Sequence, residues 1–127
     1  MPVSLLQFVM NVADLDGTVA FFRAVLDVAD AGGWNRGPDD RGALLEICPG
    51  GVVEVVGHGP AFSPPSYEHD ALAVRVDLPA EVDAFFRRCS RSGLPAVAPV
   101  RQSWGHYSAA VRGPLGLELV VFCERPA

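Results

Sequence analysis

Two stretches of this chain say nearly the same thing. Asp14-Leu15 leads to Val19 and then Phe21-Phe22-Arg23, and Asp77-Leu78 leads to Val82 and then Phe85-Phe86-Arg87. The apolar ladder Leu15, Val19, Phe22, Leu26 returns as Leu78, Val82, Phe85, Cys89, both at the i, i+4, i+7, i+11 spacing of one helix face. A duplicated unit filling half of a short chain restricts the fold to two copies of one supersecondary motif.

The residues around each ladder supply that motif. Leu5 to Val12 is apolar and suits a buried strand. Asp14 or Asp16 is placed to cap a helix running to Leu26. Gly32-Gly33 and Gly37-Pro38-Asp39-Asp40 read as turns. Ala43 to Cys48 and Val52 to Val56 flank Pro49-Gly50-Gly51 as a hairpin. His58 to Tyr67, with Gly59-Pro60 and Pro64-Pro65, reads as a linker. Ala71 to Val76 is the next strand, Pro79 suits the first turn of a second helix, and Gly93 is placed to end it. Val97 to Gln102, Tyr107 to Arg112 and Leu117 to Phe122 complete the second unit. The predicted architecture is a single α+β domain of two tandem βαβββ modules, residues 1–57 and 69–127, joined by a linker at 58–68. Each four-stranded sheet must bury an inner face, so the pair is expected to form a curved, cupped surface.

Composition narrows the function. The 127 residues carry a net charge of −5, which argues against nucleic acid, because phosphate binding wants a basic face. No apolar run approaches a membrane span, and the first residues lack the basic start and cleavage site of a signal peptide, so a cytoplasmic protein is expected. Cys48, Cys89 and Cys123 are too far apart for a metal pair and read as small apolar core residues.

Two tryptophans stand outside the helical ladders. Trp34 follows Gly32-Gly33, at the expected start of a loop, and Trp104 lies between two strands with His106 and Tyr107 close behind. Large apolar rings in such places suit stacking against a flat ligand or sealing an interface. Phe62 and Tyr67 in the linker are candidates for a lid or a contact between chains. Phe21, Phe22, Phe85 and Phe86 are core.

The chain resembles the vicinal oxygen chelate superfamily, the glyoxalase/bleomycin-resistance/dioxygenase group. Val12-Ala13-Asp14-Leu15 with Ala20-Phe21-Phe22 is similar to its first-helix signature. Trp104-Gly105 with Arg112-Gly113-Pro114 and Gly116 is similar to its late turn. The resemblance implies paired βαβββ modules, commonly in homodimers that complete the cup between chains. It also implies either a divalent metal with chemistry or a metal-free drug-binding cavity.

For a metal member the resemblance implies one ligand on each of four inner strands. Its register places Gln7 and Glu54 in the first module, but Ala71 and Val120 in the second, and neither of the latter has a donor atom. His69 and Glu118 lie two residues before these blanks. Glu118 also equals Glu54 shifted by 64, the offset relating Val12 to Val76. Gln7, Glu54, His69 and Glu118 would therefore be the ligands of one divalent ion if a bulge or shorter turn restored the register.

The sequence is best read as a metal-free, cofactor-free homodimer that sequesters a hydrophobic or aromatic natural product, such as a bleomycin-, mitomycin- or enediyne-like antibiotic. Its expected ligand-binding residues are Gln7, Trp34, Glu54, Arg75, Trp104, His106 and Tyr107, with Arg75 meeting either Glu54 or a ligand acceptor. The alternatives are a metal-dependent glyoxalase- or dioxygenase-type enzyme using Gln7, Glu54, His69 and Glu118, and a metal-free enzyme using Glu54 or His106 as acid or base.

Overall fold

A computed structural model describes residues 1–125. The chain divides into two compact units, Met1–Pro65 and Ser66 onward. The first contains β1 (Leu6–Val12), α1 (Leu15–Val25), β2 (Ala29–Asn35), β3 (Arg41–Cys48) and β4 (Gly51–Gly57). The second contains β5 (Ala71–Arg75), α2 (Pro79–Arg91), β6 (Ala96–Arg101), β7 (Tyr107–Arg112) and β8 (Glu118–Cys123). Each is one βαβββ motif with a mixed sheet, ordered β1-β4-β3-β2 in the first and β5-β8-β7-β6 in the second. The first and last strands of each motif run parallel, and the other pairs are antiparallel. No helix among the described residues is long and apolar enough to cross a membrane.

Each sheet buries one face against its own helix. In the first unit Met10, Val12, Leu45, Val53 and Val55 are buried with Phe22 and Val25 of α1. In the second, Val111, Leu119 and Val121 are buried with Val82, Phe85 and Cys89 of α2. The side toward the helix is fixed independently, because a Cβ on Gly57 would run into Leu15 of α1. Side chains alternate along a strand, so the residues between these positions lie on the opposite face of each sheet.

Several expectations need correction. Gly32-Gly33 is no turn: β2 passes through it, with the register shifted between Asp30 and Gly33 and Gly32 at φ 120°. Trp34 therefore sits in a strand, opposite Gly42, and not in a loop. Neither Leu26 nor Leu78 belongs to a helix; they are the C-cap of α1 and the N-cap of α2. The buried face of α1 is Leu15, Thr18, Phe21, Phe22 and Val25, so Val19 gives way to its neighbour Thr18. Cys89 and Cys123 are buried as expected, but Cys48 is exposed at the end of β3. His69 lies in the turn before β5, not on the strand.

Candidate functional site

In the first unit the sheet face turned away from α1 carries three cross-strand rows. Gln7, Val52 and Glu46 form one, and Val9, Glu54 and Leu44 the next. Asn11, Val56, Gly42 and Trp34 form the third. Directly opposed side chains stand about 5 Å apart at Cβ, so Gln7 and Glu54, on adjacent rows, are diagonal neighbours. Glu54 is half-buried and Gln7 is exposed.

The third row ends in a built corner. The Trp34 ring covers Gly42 so closely that a Cβ there would overlap it. Trp34 Nε1 donates to Asp40 Oδ1 at 2.9 Å, and Arg36 Nε donates to Asp40 Oδ2 at 3.0 Å. The Arg36 guanidinium carbon lies 5.7 Å from the centre of the Trp34 ring. These bonds, Arg36 first and Trp34 second, hold the Asp40 carboxyl below its ordinary range. At the other end His58 Nε2 lies 2.9 Å from Asn11 Oδ1, and its ring stacks on Phe62 at 4.1 Å. The sequence placed His58 only at the start of a linker and gave Asn11 no role. The available signal was a lone polar residue on the same strand parity as Gln7.

In the second unit the corresponding face carries Ala71, Ala73 and Arg75 on β5, and Glu118, Val120 and Phe122 on β8. Ser108, Ala110 and Arg112 of β7 share it. His106 stacks on Phe122 at 4.5 Å with the planes 12° apart, and Trp104, 68% exposed, meets His106 edge-on at 6.3 Å. Gln102 Nε2 donates to Ser108 Oγ at 3.1 Å beside this stack. The ion-pair partner of Arg75 is Glu124, at 3.6 Å.

Tyr107 stands apart from this group. It pairs with Cys123 on the helix side of its sheet, and its hydroxyl donates to Asp83 of α2 at 2.6 Å. That carboxylate, foremost as acceptor of the phenol proton, holds the Tyr107 hydroxyl above its ordinary pKa. Of the seven expected ligand residues, Gln7, Trp34 and Glu54 thus share one face, and Arg75, Trp104 and His106 belong to the other unit's corresponding side or its rim.

The sequence profile of the glyoxalase/bleomycin resistance protein/dioxygenase superfamily matches residues 4–121. The chain belongs to this superfamily. Its fold is similar to that of a glyoxylase/bleomycin resistance protein/dioxygenase domain from Frankia sp. EAN1pec, at 18% identity, 98% coverage of each chain and a TM-score of 0.76. It is also similar to a bleomycin resistance determinant encoded on the transposon Tn5, at 23% identity, covering 95% of this chain and 98% of that one with a TM-score of 0.67. A fosfomycin resistance protein from Listeria monocytogenes, solved with manganese(II), is similar at 16% identity, 98% and 95% coverage and a TM-score of 0.75. No functionally curated protein matches the chain.

Superfamily membership raises the question of a metal, and strand pairing decides which residues correspond. Gln7 pairs with Val52, and its counterpart Ala71 pairs with Glu118. Val9 pairs with Glu54, and its counterpart Ala73 pairs with Val120. Glu118 thus corresponds to Val52, not to Glu54, and the alignment by a uniform shift of 64 is overturned. The counterparts of the donors Gln7 and Glu54 are Ala71 and Val120. His69 is 90% exposed and lies 3.4 Å from Glu68, while Glu118 lies 3.9 Å from Arg112. Within each unit, no three His, Cys, Asp or Glu among the described residues cluster in a metal-binding arrangement. Of the four matched positions, Gln7 and Glu54 carry donor atoms and Ala71 and Val120 carry none.

Proposed function

We propose that this superfamily member binds and sequesters a hydrophobic or aromatic antibiotic, of bleomycin-, mitomycin- or enediyne-like character, without a metal and as a homodimer. The observation that carries this reading is the register: the second unit places Ala71 and Val120 where the first has Gln7 and Glu54. Those positions offer surface for contact in place of donors for an ion. Each face, taken by itself, combines apolar side chains with a few polar groups, which suits contact with a ligand body and hydrogen bonds that orient it. The structural likeness to a bleomycin resistance determinant is in keeping with this use.

Trp104 is the natural reporter, since its ring is largely exposed while that of Trp34 is laid against Gly42. Titration with bleomycin, mitomycin C and an enediyne should quench tryptophan fluorescence to saturation with at least one of them, and recover the compound unchanged. Absence of quenching by all three would overturn sequestration of this class. Chemical conversion of the bound compound would make the protein an enzyme instead.

A further inference from the structure

We propose that the ligand carries a cationic group, a protonated amine or a guanidinium, that docks on Glu54. This rests on the sequestration reading and adds the chemical class of what is held. Glu54 lies in the middle of β4, with Val9 and Leu44 beside it on the flanking strands and Val52 and Val56 before and after it on the same face. These four apolar side chains are the directly adjacent neighbours of one half-buried carboxylate, with Gln7 and Glu46 on its diagonals. Within its own unit, Glu54 has no hydrogen-bond or ion-pair partner among the described residues.

A carboxylate in apolar surroundings is tolerated while water reaches it. A neutral ligand spread over Val9, Leu44 and Val56 would strip that water and leave the charge unpaired, which disfavours binding. A cation at this point replaces the lost water with a charge-assisted hydrogen bond. The rest of the face points the same way. Its three rows hold Glu54 and Glu46 and no Arg or His. Arg41 pairs in register with Gly57 on the helix side and bonds Asp16 at 2.6 Å. Arg36, at the Trp34 corner, is engaged by Asp40. The face is thus complementary to positive charge, and the flat apolar rows suit an aromatic body attached to it.

Two probes with the same ring system test this. At mildly alkaline pH 9-aminoacridine is a cation and acridine is neutral. Probe fluorescence should show the cation binding the intact protein about tenfold more tightly, the scale of one charge-assisted contact. Glu54→Gln keeps the shape and removes the charge, so it should abolish that preference, weakening the cation and relieving the penalty on acridine. Glu46→Gln, one row away and exposed, should retain the preference, and circular dichroism of each variant checks the fold. Equal binding of both probes, or a preference that survives Glu54→Gln, overturns the cation proposal and leaves sequestration standing. Binding of neither probe also overturns the cation proposal, and the titration with bleomycin, mitomycin C and an enediyne then decides sequestration separately.

Discussion

Trp34 lies flat against Gly42, and the pair explains two features at once. A glycine in a strand leaves a gap in the sheet surface, and an aromatic ring on the neighbouring strand fills it. The same ring is held at its nitrogen by Asp40, which Arg36 also bonds. The glycines before Trp34 suggest a loop in the sequence, but they serve a bulged strand, and only the partner strand reveals that. The corner makes a pH prediction. The carboxyl of Asp40 is held below its ordinary range, so any stabilisation it contributes is present above the unfolded value of about 4 and is lost as pH falls through the lower folded value. The Trp34 indole N–H resonance should therefore titrate below the ordinary carboxylate range, and Asp40→Asn should remove that transition. A midpoint at or above the ordinary range would refute the bonded geometry. Asp40 is exposed, so the effect on global stability is expected to be slight.

The two helices show how far a repeat is legible and where it departs. Asp14-Leu15 and Asp77-Leu78 look equivalent, yet Asp14 caps α1 while α2 starts one residue later, after Leu78. Pro79 is the physical reason. The residue before a proline is driven to extended backbone, and Leu78 sits at φ −125° and ψ 143°. Asp77 is left outside the helix, and Leu78 has no side-chain oxygen with which to cap it. In α1 the Gly17 N–H donates to Asp14 Oδ1 at 3.0 Å. Asp14→Ala should accordingly cost about 1 kcal/mol, and Leu78→Asp should gain about 0.5–1 kcal/mol, both read as midpoint shifts in urea. Leu78 is 46% exposed, so little burial is lost in the exchange. A destabilised Leu78→Asp protein would show that the leucine contributes packing that outweighs a cap. Gly93 needed no such correction, since it follows the C-cap at φ 72°, where glycine is favoured over other residues.

Across the whole chain, the repeat is exact in order and inexact in spacing. The first strands correspond at a shift of 64, Gln7 to Ala71, and the helices at 63, Phe22 to Phe85. The later strands correspond at 66, so that Leu44 and Glu54 match Ala110 and Val120. The second helix has 13 residues against 11 in the first, and that added length accounts for most of the drift. An offset near 64 therefore found the fold and the buried Phe21, Phe22 and Phe85, while Phe86 is only half-buried, and it misplaced Glu118 by two positions, about 6.5 Å along a strand. Hydrogen-bond register is a property of paired strands, and the sequence of one strand does not contain it. This correction carries the metal prediction. With matched donors at Gln7 and Glu54 only, the protein should retain well under one metal per chain after dialysis against nickel, zinc, iron(II) or manganese and return to metal-free buffer. Adding any of these ions should leave Tm unchanged. A site filled to a hundred times its Kd would add about 2.7 kcal/mol, a rise on the order of 10 °C for a chain of this length. Retention of one equivalent, abolished by Glu118→Gln, would show that Glu118 reaches an ion despite its register and would replace sequestration with the metal-dependent reading.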